Sequence, residues 1–202
     1  KLVLALRGEY RCIVPDHIGM GLSDKPDDSR YHYTLDSRID DLDRLLAHLD
    51  VGQGVTLVVH DWGGLIGLNW ALRHPQQVRR LIVLNTAGFT MPDGKTLPWQ
   101  LALGRHTRLG ALLIRGLNAF AGGAAWLAVK KPMSRAVRRA YLSPYNNWAN
   151  RISTLRFVQD IPLSAADPAW ASVAGLGAAL SQFADRPALL CWGMGDFVFD
   201  HT

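Results

Sequence analysis

An α/β fold with a mostly parallel sheet, interrupted by a helical insertion, is what this sequence predicts, and three observations carry the prediction. Between residues 10 and 84, short β-branched apolar runs alternate with runs of helical periodicity. From Gly88 to about Asp185 the pattern changes to helices punctuated by Gly, Pro and Trp. Strand character then returns at Pro187 to Trp192, so a sheet domain is left and re-entered. The division expected is core over 1–88, a helical cap over 89–185 and core re-entry over 186–202.

Composition fits one globular domain with an insertion: 202 residues, 49% apolar and 19% charged. Both ends read as cut. Cys12 and Cys191 lie in β-like apolar runs and are expected as buried free thiols, which suits a cytoplasmic protein. The net charge of +5 is unevenly spread: no acid lies between Asp93 and Asp160, a span holding eleven Lys and Arg residues. These cations are interleaved with Leu, Ala and Gly and accompany no nucleic-acid module, which argues against a nucleic-acid partner. A solvated helical face is the plainer reading, and membrane-surface contact through the cap is the second.

Taken in order, residues 1–10 read as the end of a helix stopped by Gly8, and Tyr10 to Val14 as a short strand. The loop from Asp16 to Pro26 is rich in Gly and turn formers; Asp16 and His17 are adjacent and read as loop-bracing groups. Thr34 caps a helix running to about Leu49, with Ile39, Leu42, Leu45, Leu46 and Leu49 at helical spacing. Its paired carboxylates, Asp40 and Asp41, read as surface. A strand over 55–59, a helix to His74 and a strand over 78–84 follow. Gly110 to Val129 is nearly all apolar, but Arg115, Asn118 and four glycines argue against a membrane span and for a helix pair lining a pocket.

The chemistry is expected at the carboxyl ends of the strands, where Asp16, Asp61 and Asn85 fall. Val58-Val59-His60-Asp61-Trp62-Gly63-Gly64 joins a strand to a helix through a Gly-flanked turn, the sequence form of a nucleophile elbow with Asp in the exposed position. Asp61 reads either as the N-cap of its helix or as a nucleophile kept ionised by the helix N-terminus. A nucleophilic carboxylate needs a base and an acid that orients it. Asp196 follows the re-entering strand at the right place for that acid, Asp200 being the weaker choice, whereas the turn after strand 78–84 offers Asn85-Thr86-Ala87 and no carboxylate. Trp62 is placed to offer N–H groups to a leaving anion. No His suits the base: His60 should point away from Asp61, and His201 follows Asp196 too closely. The catalytic His is therefore expected outside this chain. No metal-ligand spacing occurs, and no cofactor is expected.

The segments VVHDWGGLIGLNWALRHP, PDHIGMGLSDKP, LIVLNT and WGMGDFVFD together resemble the haloalkane-dehalogenase-like α/β-hydrolases across the whole chain. Cap segments RGLNAF, SPYNNWANRISTLRFVQDIPLS and FADRPA, with Leu97 to Arg105, resemble the β-lactone decarboxylases of bacterial long-chain olefin biosynthesis. The resemblance implies an α/β-hydrolase fold truncated at both ends, with Asp61 as nucleophile, Trp62 as anion stabiliser and Asp196 as triad acid. It also implies that a His-Gly-Asn-Pro turn would precede Lys1, that the catalytic His would follow Thr202, and that this fragment alone is inactive. The substrate implied is an apolar β-lactone or a haloalkane, and the partners are neighbouring pathway enzymes. Two alternatives stay open: an epoxide hydrolase using Tyr141 and Tyr145, and a non-catalytic interaction module.

Overall fold

A computed structural model describes residues 1–92 and 94–199. Asp200 and His201 lie outside the described residues. Three parallel strands form the sheet in the order β1 (Val55–His60), β2 (Val78–Leu84) and β3 (Ala188–Cys191). Their register pairs His60 with Leu84 and Leu84 with Cys191, so the three strands end level with one another. Asp61, Asn85 and the turn after Trp192 are thereby delivered to one edge of the sheet.

Before the sheet come α1 (Leu2–Leu6) and α2 (Leu35–His48). Thr34 starts α2 as expected: its hydroxyl accepts from the Ser37 amide at 3.2 Å, and Asp36 sits in the first turn. Between β1 and β2 runs α3 (Trp62–Arg73), which buries Leu65, Ile66, Leu68, Trp70 and Ala71 in the main core with Leu35 and Ile39 of α2. Gly67 permits that packing, since a Cβ there would stand 2.8 Å from Val59 Cγ1.

Between β2 and β3 follow α4 (Trp99–His106), α5 (Arg108–Leu117), α6 (Ala119–Leu127), α7 (Arg135–Leu142), α8 (Ile152–Gln159), α9 (Ala171–Ala174) and α10 (Leu176–Ala179), with short 3-10 turns among them. The apolar stretch from Gly110 is two helices, broken where Asn118 takes a left-handed φ of 55°. No helix among the described residues is long and apolar enough to cross a membrane. Ile114 of α5 packs with Leu155 and Val158 of α8 in a small separate core. Phe157, Ala169, Val173, Leu176 and Phe183 instead join the main core beside α3. The later part of the insertion is thus as much a wall of the sheet domain as a layer above it.

Two expectations are corrected. Tyr10 to Val14 forms no strand: no described strand runs beside it to complete a ladder, and β propensity without a partner supplies no cross-strand hydrogen bonds. Cys12 and Cys191 are free thiols but only partly buried, Cys12 because its run never enters the sheet and Cys191 because it ends an edge strand.

Candidate active site

The junction of β1 and α3 is strained at one residue. Asp61 has φ 50° and ψ −131°, a backbone state that costs a non-glycine residue about 1–3 kcal/mol and persists only where surrounding bonds enforce it. Those bonds are present. The Asp61 amide donates to Asn85 O at 2.9 Å, the Thr86 hydroxyl donates to Asp61 O at 2.5 Å, and the Gly64 amide donates to the same oxygen at 3.0 Å. The Asp61 carboxylate accepts from the Trp62 amide at 2.5 Å, so both readings of this residue meet in one geometry. It caps the helix, and it is held exposed at the carboxyl edge of the sheet. That amide, expected to face a leaving anion, is occupied by Asp61 in this structure.

The helix N-terminus is not the largest influence on the charge of Asp61. Its surface reaches solvent, yet protein crowds around it, and the loss of hydration pushes its carboxyl above the ordinary range. The Trp62 amide and the His60 side chain pull the other way, while the negative charge of Asp196 adds to the rise. The field of Asp196 therefore reaches Asp61, although 135 residues of chain separate them.

Asp196 is itself half committed to its turn. One carboxylate oxygen accepts from the amides of Val198 at 2.8 Å and Phe199 at 3.0 Å. The turn is tied to the elbow by Asn85, which is buried: its Oδ1 accepts from the Gly193 amide at 2.7 Å, and its Nδ2 donates to Gly193 O at 3.1 Å. Asn85 thus grips the elbow with its backbone and the Asp196 turn with its side chain. Sequence reasoning placed Asn85 at the strand ends and noted that it is no carboxylate, but gave it no role in joining the two turns. A buried amide immediately after a strand, where two turns must be joined, was the signal available.

Trp62 packs edge-on against Phe157, with ring centroids 5.2 Å apart, and beneath the guanidinium of Arg38 at 5.4 Å. Arg38 is fully buried, pairs with Asp160 at 2.6 Å and lies 3.8 Å above the Phe157 ring. Burial pushes Asp160 up and Arg38 down, the cost of dehydration exceeding their mutual attraction in each case.

Other candidates fall elsewhere. Asp16 braces its loop, accepting from the Leu22 amide at 2.9 Å, and desolvation lowers the pKa of His17 beside it. Asp40 pairs with Arg73 on the surface, and Asp41 accepts from the Tyr31 hydroxyl at 2.5 Å. The two tyrosines sit in different surroundings. Tyr145 donates to Met20 Sδ and accepts from the Gly21 amide, both at 3.3 Å, whereas Tyr141 is exposed on α7. No cluster of three metal-ligating side chains occurs among the described residues. An open groove of about 460 Å³, lined by Asp24, Lys25, Arg30, Tyr31 and Asp41 among others, lies away from Asp61.

Gly64 gives the elbow a direct test. A Cβ at Gly64 would collide with the Thr86 side chain that anchors Asp61, whereas one at Gly63 would meet nothing within 4 Å. Gly64→Ala is expected to cost about 1–3 kcal/mol in chemical denaturation. Gly63→Ala should be neutral or stabilising by up to about 1 kcal/mol.

Comparison with known proteins places this geometry among relatives. Residues 2–202 match the family model of the alpha/beta hydrolase fold. A cis-3-alkyl-4-alkyloxetan-2-one decarboxylase of Xanthomonas campestris is 60% identical over 98% of this chain and 68% of its own length. One of the same name from Shewanella oneidensis is 56% identical over 99% of this chain, and the chain spans 63% of it. A haloalkane dehalogenase of Mycolicibacterium smegmatis is 36% identical over 80% of the chain and 53% of its own length. Among solved structures, haloalkane dehalogenase DbeA from Bradyrhizobium elkani superposes with a TM-score of 0.74 at 29% identity, covering 89% of this chain and 62% of that one.

Proposed function

Because the chain belongs to the α/β-hydrolase fold family, in the haloalkane-dehalogenase-like group with the cis-3-alkyl-4-alkyloxetan-2-one decarboxylases, we propose that the full-length protein opens an apolar β-lactone with Asp61 and releases carbon dioxide and an alkene. The observation that carries this reading is the strained, exposed Asp61 at the strand ends, followed by Trp62, whose ring is fixed between Phe157 and Arg38. Identity of 60% to a lactone decarboxylase, against 36% to a dehalogenase, supports the lactone over the haloalkane.

In this reading the Asp61 carboxylate attacks C4 of the ring, the C4–O bond breaks, and its electrons leave on a new carboxylate to which the Trp62 indole N–H donates. The bond joining that carboxylate to C3 then breaks. Its electrons form the C3=C4 double bond as the ester C–O bond opens, returning Asp61 as a carboxylate. Lactone becomes alkene plus carbon dioxide, with no water consumed. Displacement of halide would instead leave an ester that needs water and a base, the role assigned to a His outside this chain and oriented by Asp196. The insertion over 89–185 serves as the cap that shields the alkyl chains.

Incubation of the full-length protein with a cis-3,4-dialkyl-β-lactone and, separately, with a 1-haloalkane tests this. Alkene and carbon dioxide in equal amounts, with no β-hydroxy acid, are expected from the lactone. Halide release with an inert lactone would overturn the reading.

A further inference from the structure

Helix α6 is composed wholly of apolar residues and glycine, in the order Ala-Phe-Ala-Gly-Gly-Ala-Ala-Trp-Leu, and of these only Ala125 is buried. Phe120, Ala124 and Leu127, spaced i, i+4 and i+7, form one stripe, and all three are exposed. Trp126 and Leu127 are 62% and 79% exposed, an uncommon arrangement for large apolar side chains on adjacent positions. Leu117 at the end of α5, and Val137 and Tyr141 on α7, extend the apolar surface.

The charges around this surface have one sign. Four other cations of the insertion are engaged: Arg105 with Asp167, Arg156 with Asp28, Arg151 with backbone carbonyls and Arg115 over Trp148. Arg138 stacks 3.3 Å from the Trp126 ring centre. Lys130, Lys131, Arg135 and Arg139 are exposed and have no ion-pair partner among the described residues. No acidic residue occurs between Asp93 and Asp160 to neutralise them.

We propose that α6, with the basic segment from Lys130 to Arg139, docks on the headgroup boundary of an anionic phospholipid bilayer. Apolar residues without hydrogen-bonding side chains suit the acyl boundary, which asks for no matched partners, while a protein interface carries a polar rim that must be paired. Tryptophan is favoured at the level of the headgroups, and the unpaired cations gain most from anionic lipid there. The helix lies on the surface; nine residues are too few to span the hydrocarbon.

Flotation with vesicles of phosphatidylglycerol and phosphatidylcholine, compared with phosphatidylcholine alone, tests this on the full chain. Binding to the anionic vesicles is expected, weakening as salt rises. Lys130→Glu with Lys131→Glu should weaken it at least about tenfold. Arg44→Glu with Arg79→Glu, two exposed charges removed from another face, should change it less than about threefold. Phe120→Ser with Leu127→Ser keeps the charge and should also weaken binding and abolish the blue shift of tryptophan emission; circular dichroism checks that both variants remain folded. Equal losses from the two charge-reversal pairs, unchanged binding by the serine variant, or binding to polyglutamate without binding to vesicles would each overturn the proposal. Asp61→Asn should bind the vesicles as the parent does, which separates this question from the reaction.

Discussion

Asn in place of Asp61 is expected to lower turnover of a cis-3,4-dialkyl-β-lactone by the full-length protein on the order of 10⁴-fold or more. The amide matches the carboxylate in size and Asn tolerates a positive φ, so fold and stability should be retained while the attacking anion is lost. A loss of less than about tenfold would remove Asp61 from the role of nucleophile. The pH profile of the parent supplies the companion measurement. Desolvation first, and the charge of Asp196 in addition, raise the pKa of Asp61 above the ordinary 3.8. A protonated carboxyl cannot attack, so kcat/KM should fall as pH drops through that raised value, and the acid limb should lie above the usual aspartate range. Asp196→Asn removes a neighbouring negative charge and should move that limb down.

Arg38→Met should be the most destabilising single change considered, costing about 3–5 kcal/mol in urea denaturation at neutral pH. Arg38 is fully buried, and its loss strands the nearly buried Asp160 carboxylate while also removing the bond at 3.0 Å to Tyr33 O. The pH dependence has a definite sign. Asp160 already has a raised folded-state pKa, so its penalty exists above the unfolded pKa and is relieved as protonation proceeds. The deficit of Arg38→Met should therefore shrink as the pH is lowered. Replacing both partners, Arg38→Met with Asp160→Leu, should recover most of the loss, because an apolar pair leaves no orphaned charge. If the single and double variants are equally unstable, the packing of Arg38 on Phe157 and Trp62 matters more than its charge.

Much of the architecture was legible from local signals. The strand at 78–84 and the helix after Thr34 match the structure nearly residue for residue, since a continuous apolar run and a capping hydroxyl are both written in adjacent residues. The elbow was legible too, because a strand, Asp and two glycines before an apolar helix leave few alternatives. Tyr10 to Val14 was misread for the converse reason: strand propensity is a promise that only a neighbouring strand can keep.

By itself, the sequence determined the α/β pattern, the elbow at Asp61, the family likeness and the charge asymmetry of the insertion. Each is a matter of residue order over short distances. Only the tertiary structure decided that Asn85 ties the elbow to the Asp196 turn, that Arg38 meets Asp160 across 122 residues while lying over Trp62, and that burial raises rather than lowers the pKa of Asp61. Those outcomes depend on which groups lose their water together, and desolvation is a property of the packed molecule that no local spacing records.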